Sequence, residues 1–349
     1  MLVNGIDLDG LAAHAPDAIQ IPEPVPGRMV HIDADFLAYM MSAEKAEGET
    51  KSFDDMKHNT GVFVQTIKSL AGATGIHLHL TPATSNKGGR HEQAIQKQYQ
   101  GNRIDKEKPR YLNILREWMN GAFPCTMHQN CEADDGMSSM QYAAIARGER
   151  NLSIIATKDK DLNMVPGLHV DWDTGVIVDA DEYGHTYLFD RNGTKVLKGF
   201  GQKFFWAQML MGDTADNTQG LPIIPGKVLN EIKPTQAITK AKDIVEGRLP
   251  ATAKQFDKAQ ATLDARPDGK CGPVIAQTLL ELMPDHRTAY ATIKGLYRRV
   301  GETVGFKHWE TGAPVDWQKV FVSEAQMHWM RRNKDDHYDV ARWWQEILA

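Results

Sequence analysis

Three short apolar runs constrain this chain most: Met29–Asp33, Ile76–Leu80 and Leu152–Thr157. The first two alternate apolar with polar residues and the third is continuous, all at strand length. Between them lie stretches with helical spacing, at about 35–46, 53–71, Arg110–Met119 and Glu132–Arg147. Strands alternating with helices in this way predict an α/β fold with a central, mainly parallel sheet flanked by helices. Pro124–His128 reads as a further short strand, and 168–200 as hairpins, with Asp173-Thr-Gly and Arg191-Asn-Gly as turn signals. From Phe204 onward the pattern is mainly helical and ends in a Trp-rich stretch at 323–349. At about 100–200 residues per domain, 349 residues suggest two or three domains. The boundaries fall at a leader 1–27 closed by Ile21-Pro-Glu-Pro-Val-Pro-Gly27, an α/β core 28–200, and a helical region 201–349.

Acidic residues fall where such a fold gathers ligands. Asp33 ends the first strand, Glu132-Ala-Asp134-Asp135 opens a helix, Asp159-Lys-Asp161 follows the third strand, and Asp213-Thr-Ala-Asp216 follows an apolar helix. The carboxyl ends of parallel strands share one edge of the sheet, which is where ligands bind. Singly, each acid is a common turn former or helix cap. Together they resist joint ionisation unless cations lie among them. So many oxygen ligands suit Mg²⁺ or Mn²⁺ rather than zinc.

In order and spacing these pieces resemble the flap endonuclease family of 5′-nucleases, in particular its phage 5′→3′ exonuclease branch, similar to the 5′-nuclease domain of bacterial DNA polymerase I. The matching pieces are Ile32-Asp33-Ala-Asp-Phe-Leu-Ala-Tyr39, Tyr99-Gln-Gly-Asn-Arg103, Glu132-Ala-Asp-Asp135, Thr157-Lys-Asp-Lys-Asp161 and Met211-Gly-Asp-Thr-Ala-Asp-Asn217, spread over most of 29–280. The resemblance implies a PIN/5′-nuclease-like core with a basic helical arch at about 82–110. It implies a first metal on Asp33, Glu132, Asp134 and Asp135, and a second on Asp159, Asp161, Asp213 and Asp216. Two Mg²⁺ ions are expected, with Mn²⁺ as a substitute. Arg103 joins the catalytic set, and Asp35 is expected to be only a helix N-cap. The chain departs from the family twice. Leu80-Thr-Pro-Ala-Thr-Ser-Asn86 lacks the usual Asp, leaving Thr81 or a water to stand in. Gln100 replaces a lysine, leaving Lys97 or Lys106 to supply its charge.

From Lys87 to Arg116 there are eight Lys/Arg against three Asp/Glu, although the whole chain carries −5. Charge runs are usually solvated surface. Under the resemblance this one tracks phosphates through Lys87, Arg90, Lys97, Arg103 and Lys106, with Tyr99 stacking on a base. The resemblance also implies a helix-hairpin-helix-like DNA-binding element, of a kind that often uses a K⁺ ion, expected to start at Gly220. It then either continues through Gly226-Lys227 or, preferred here, resumes at Cys271-Gly272 with 223–270 as an insertion. His77 and His79 read as surface or lightly buried histidines, and Trp329, Trp343 and Trp344 as packing anchors. Three scattered cysteines, Asp7 and Asp9 in place of a signal peptide, and no long apolar run point to a reducing cytoplasm, host cytoplasm if phage-encoded, and no membrane partner.

The expected function is 5′→3′ exonuclease or flap cleavage of DNA carrying a 5′ end, with RNA–DNA hybrid as a further substrate. Phage replication or host DNA breakdown is the expected setting. The competing readings are a non-catalytic DNA-junction binder with the same fold and a metal-dependent phosphatase. The basic segment and the glycine-rich piece disfavour the phosphatase, since a small ligand needs neither.

Overall fold

The computed structural model describes residues 2–3, 6–7, 21–43, 51–104 and 106–349. Most of the expected leader lies outside the described residues. Its last residues do not, and they correct the boundary: the first long strand already starts at Val25.

Six strands form one sheet: β1 Val25–Asp33, β2 Ala73–Leu80, β3 Cys125–Met127, β4 Ser153–Ala156, β5 Gly167–Val170 and β6 Ile177–Ala180. Their spatial order is β3-β2-β1-β4-β5-β6, parallel throughout except for the antiparallel edge strand β6. The chain thus winds outward from β1 in one direction, then returns to β1 and winds outward in the other. The crevice between the ends of β1 and β4 is therefore the switch point at which doubly wound sheets bind ligands.

Side-chain alternation gives the sheet two cores. Val30, Ile32, Leu78, Ile154 and Ala156 face the helices Ala34–Ser42, Phe53–Leu70 and Leu112–Ala122. Ile155, on the opposite face of β4, joins Met137 and the large core of the C-terminal helices. On that face, the imidazoles of His31 and His79 hydrogen-bond to each other beneath the helix Ala133–Ala146. His79 is 1% exposed, which corrects the reading of it as a surface or lightly buried residue. Pairing with β1 and β3 on either side puts this residue in the middle of the sheet.

The hairpin His185–Arg191/Thr194–Phe200 turns at Asn192-Gly193, both with positive φ, as the dipeptide predicts. Trp329, Trp343 and Trp344 pack inside the C-terminal core, in contact with Phe205, Trp206 and Phe321. The segment 223–270 does not stand wholly apart. Its first helix, Gly226–Ile232, buries Val228 and Leu229 in that core, and Ile224 pairs with Gly269 at its base. The helices Gln236–Val245 and Ala253–Asp264 pack on each other and bury only Ile238, Ala241 and Ala259. Among the described residues, no helix is long and apolar enough to cross a membrane.

Candidate active site

Asp33 sits at the end of β1 and caps the following helix, accepting the Phe36 N–H at 3.0 Å. Asp33, not Asp35, is therefore the N-cap. Asp35 points to the β2 end, where it accepts the Thr81 N–H at 3.0 Å and pairs with Arg116 at 2.8 Å. Thr81 Oγ1 accepts the Ala133 N–H at 2.8 Å, so it caps the acidic helix.

Beyond β4, Asp159 caps a short 3₁₀ turn by accepting the Asp161 N–H at 2.9 Å. Asp161 and Asp213 are buried, and Asp216 is half-buried. Asp161, Asp213 and Asp216 each offer an oxygen, all within 4.8 Å of one another. Burial pushes the Asp33, Asp159 and Asp216 carboxyls up to about 6 and Asp161 to about 7, and neighbouring carboxylates add to it. Asp134 is raised well above the usual range by burial and then by Asp159 and Asp33. Asp33 and Asp159 raise Asp134, Asp216 and Asp33 raise Asp159, and Asp159 raises Asp161, so each of these acids makes the others harder to ionise.

This donor set fits hard divalent cations. Carboxyls crowded into raised pKa values gain most from a cation that restores their ionised form. Asp213 Oδ2 is buried without a directed hydrogen bond, and the Lys160 ammonium lies 2.8 Å from it. Lys160 also reaches Asp161 at 2.8 Å. Burial alone would raise the Asp213 carboxyl, but Lys160 outweighs it and holds the group below its usual value.

Glu132 and Asp135 are engaged differently. Glu132 Oε2 accepts from Arg90 and from the Tyr99 hydroxyl, and its Oε1 accepts from Gln100. Against the cost of burial, Arg90 and Lys87 hold this carboxyl below its usual value. Asp135 is fully buried and accepts from Arg90, the Arg331 N–H and the Tyr338 hydroxyl, and from the Glu132 N–H in a capping box. Asp135 therefore anchors the C-terminal segment to the acidic helix.

Several nucleic-acid contacts expected from the sequence are corrected. Arg90 is buried between Glu132 and Asp135, stacks on Tyr338 and donates to the Trp329 carbonyl. It is a structural clasp and cannot reach a phosphate. Tyr99 is 1% exposed, with its hydroxyl on Glu132, so its ring is closed to a base. Gly220 is buried, its N–H is taken by Glu324 and its carbonyl by Gln96. Lys97 and Lys106 are exposed, and among the described residues neither pairs with the site acids. Arg103 pairs with Asp216 at 3.0 Å and keeps half its side chain exposed. Gly272 caps the helix Pro273–Glu281, with open space where a Cβ would lie.

The stretch Gln98–Arg103 lies against the loop 212–220. Gln100 N–H donates to the Asp216 carbonyl, Asn102 to Thr214 and Asn217 to Gln98. Tyr338, Arg331 and Gln208, which also touch the site acids, carry no local sequence signal.

No family model and no curated protein matches the chain. Among solved structures it is similar to the bacteriophage T5 5′-exonuclease with zinc bound, at 17% identity and a TM-score of 0.40, covering 86% of this chain and 100% of that one. It is also similar to the bacteriophage T5 D15 flap endonuclease in a complex with DNA and metal ions, at 14% identity and a TM-score of 0.42, covering 86% and 99%.

Proposed function

We propose that the chain is a metal-dependent 5′→3′ nuclease that hydrolyses DNA phosphodiesters and leaves 5′-phosphate products. One observation carries this reading: Asp161, beyond the end of β4, meets Asp213 and Asp216 with oxygens all within 4.8 Å of one another, and the half-exposed Arg103 pairs with Asp216. Asp161, Asp213 and Asp216 would hold one divalent ion, and Asp33, Asp134 and Asp159 the other. Mg²⁺ suits the all-oxygen donor set, and Mn²⁺ would substitute. Such ions, when bound, activate water and neutralise charge on the reacting phosphate.

The chain's own side chains orient the ligands. Thr157 fixes Asp33, Lys160 spans Asp161 and Asp213, and Arg90 holds the acidic helix against the C-terminal segment. Arg103 is placed to leave Asp216 for a substrate phosphate, a charge-assisted bidentate contact that guanidinium suits. DNA with a 5′ end is the proposed substrate.

The test is a product ladder from 5′-labelled duplex, flap and RNA–DNA hybrid substrates with Mg²⁺. Stepwise release of 5′-phosphorylated products from the 5′ end is expected. Binding without divalent-dependent cleavage would leave a non-catalytic junction binder.

A further inference from the structure

We propose that Lys87, steered by Gln100, is the ammonium this chain presents to the substrate phosphate; the proposal rests on the nuclease reading above. Among the described residues, the cations paired with Glu132, Asp135, Asp161, Asp213 and Asp216 are Arg90, Lys160, Arg103 and Lys87. Arg90 is enclosed, and Lys160 is fixed at 2.8 Å to both Asp161 and Asp213. Arg103 was legible in the sequence, whereas the arrangement of Lys87 was not.

The Lys87 ammonium donates to Gln100 Oε1 at 2.5 Å and lies 3.8 Å from Glu132 Oε1, with about a third of its side chain exposed. Gln100 explains why. Its amide nitrogen donates to Glu132 Oε1 at 3.2 Å and to Asp216 Oδ1 at 3.1 Å. Ionised carboxylates accept and cannot donate, so the NH₂ must face them and the amide oxygen must face away. That oxygen is what Lys87 binds. The glutamine thus links Glu132 to Asp216 and holds a positive charge beside them.

Both partners sit in left-handed backbone, Lys87 at φ 50° and Gln100 at φ 51°. Local contacts hold them there: Lys87 N–H donates to Ser85 Oγ at 3.2 Å, and Gln100 N–H to the Asp216 carbonyl at 2.9 Å. Strained residues of this kind persist where the surroundings over-determine them, and they concentrate at functional sites. An ammonium resting on an amide oxygen, one step from a carboxylate, is charged and uncommitted. An incoming phosphate is a stronger partner than the amide it would leave.

The test compares Lys87→Met, Lys87→Arg, Gln100→Leu and the double variant Lys87→Met/Gln100→Leu with wild type. Single-turnover cleavage of 5′-labelled flap DNA is measured in Mg²⁺, DNA affinity by anisotropy in Ca²⁺, and folding by thermal melts. Lys87→Met is expected to slow cleavage about 100-fold, the usual loss for one donor on a reacting oxyanion. Its DNA affinity and melt should stay near wild type. Lys87→Arg should recover part of the rate. Gln100→Leu should also slow cleavage, and the double variant should be little slower than either single, because the two side chains act as one unit. An active wild type with an unimpaired Lys87→Met overturns the proposal and leaves the nuclease reading standing. Losses that simply add overturn the role of Gln100. A wild type without divalent-dependent cleavage removes both. If Lys87→Met melts early, Lys87→Gln provides the same comparison with a polar side chain of similar length.

Discussion

The Thr157 hydroxyl donates to Asp33 Oδ2 at 2.7 Å and joins the ends of the two strands between which the sheet order reverses. The same oxygen accepts the Asp159 N–H at 2.8 Å. One side chain thus fixes a carboxylate from β1 and the turn that carries two more acids after β4.

Thr157→Val keeps the shape of the side chain and removes both hydrogen bonds. A loss of about 1–3 kcal/mol in stability is expected, the usual cost of leaving buried polar groups unpaired. Urea unfolding checks it. The Asp33 carboxyl should also become harder to ionise, so Mn²⁺ binding followed by calorimetry should weaken most at acidic pH.

Divalent binding should release protons. Asp161 titrates at about 7 and Asp33, Asp159 and Asp216 at about 6, so near neutral pH and below some of them carry a proton that a cation must displace. Calorimetry with Ca²⁺ in buffers of different ionisation enthalpy should show net proton release at pH 6.5 and little at pH 8.5. Asp216→Asn should lower both the affinity and the proton release, and slow Mg²⁺-dependent cleavage by several orders of magnitude.

The imidazoles of His31, His79 and His128 form a hydrogen-bonded chain at 3.0 Å per link. Burial lowers all three pKa values, with His31 near 3. The folded state keeps them neutral while the unfolded chain takes up protons below about 6.5. Their contribution to stability is therefore complete above that value and is lost as pH falls toward the folded pKa. Asp33, Asp159, Asp161 and Asp216, with raised values, act in the opposite sense, so the informative comparison is wild type against His79→Gln. Between pH 6.5 and 4 the variant should lose less stability, by up to about 1.4 kcal/mol per pH unit.

Two glycines of the proposed duplex-binding region should behave oppositely. A Cβ on Gly220, at φ +62°, would lie 2.1 Å from the Gly212 nitrogen, whereas Gly272 faces open space. Gly220→Ala is expected to cost at least about 2 kcal/mol. Gly272→Ala should change stability by less than about 0.5 kcal/mol. Equal destabilisation in chemical denaturation would contradict this packing.

Replacing 236–264 by a short Gly/Ser linker should leave the C-terminal core folded, since Val228 and Leu229 remain in place. The replaced stretch holds five Lys/Arg against four Asp/Glu, so only a slightly flatter salt dependence of DNA binding is expected.

What the sequence determined is local. The alternation in Met29–Asp33 and Ile76–Leu80, the apolar run before Thr157, and the Asn192-Gly193 turn each depend on residues a few positions apart, and all took the expected form. The acids at strand ends and helix starts were legible for the same reason, and a parallel sheet then had to bring strand ends to one edge. Tertiary structure alone decided which partner each acid meets. Arg90 finds Asp135 across 45 positions and Tyr338 finds it across 203, and that pairing turned a presumed phosphate contact into a buried clasp. His79 was misjudged because alternation shows which residues share a face, not what packs over that face, and Tyr99 because the resemblance gave its place in the chain but not the Glu132 carboxylate that closes over it. Gln100 looked like a lost charge in the sequence. In the folded chain its amide has to turn toward two carboxylates brought in from other elements, and this is what places Lys87.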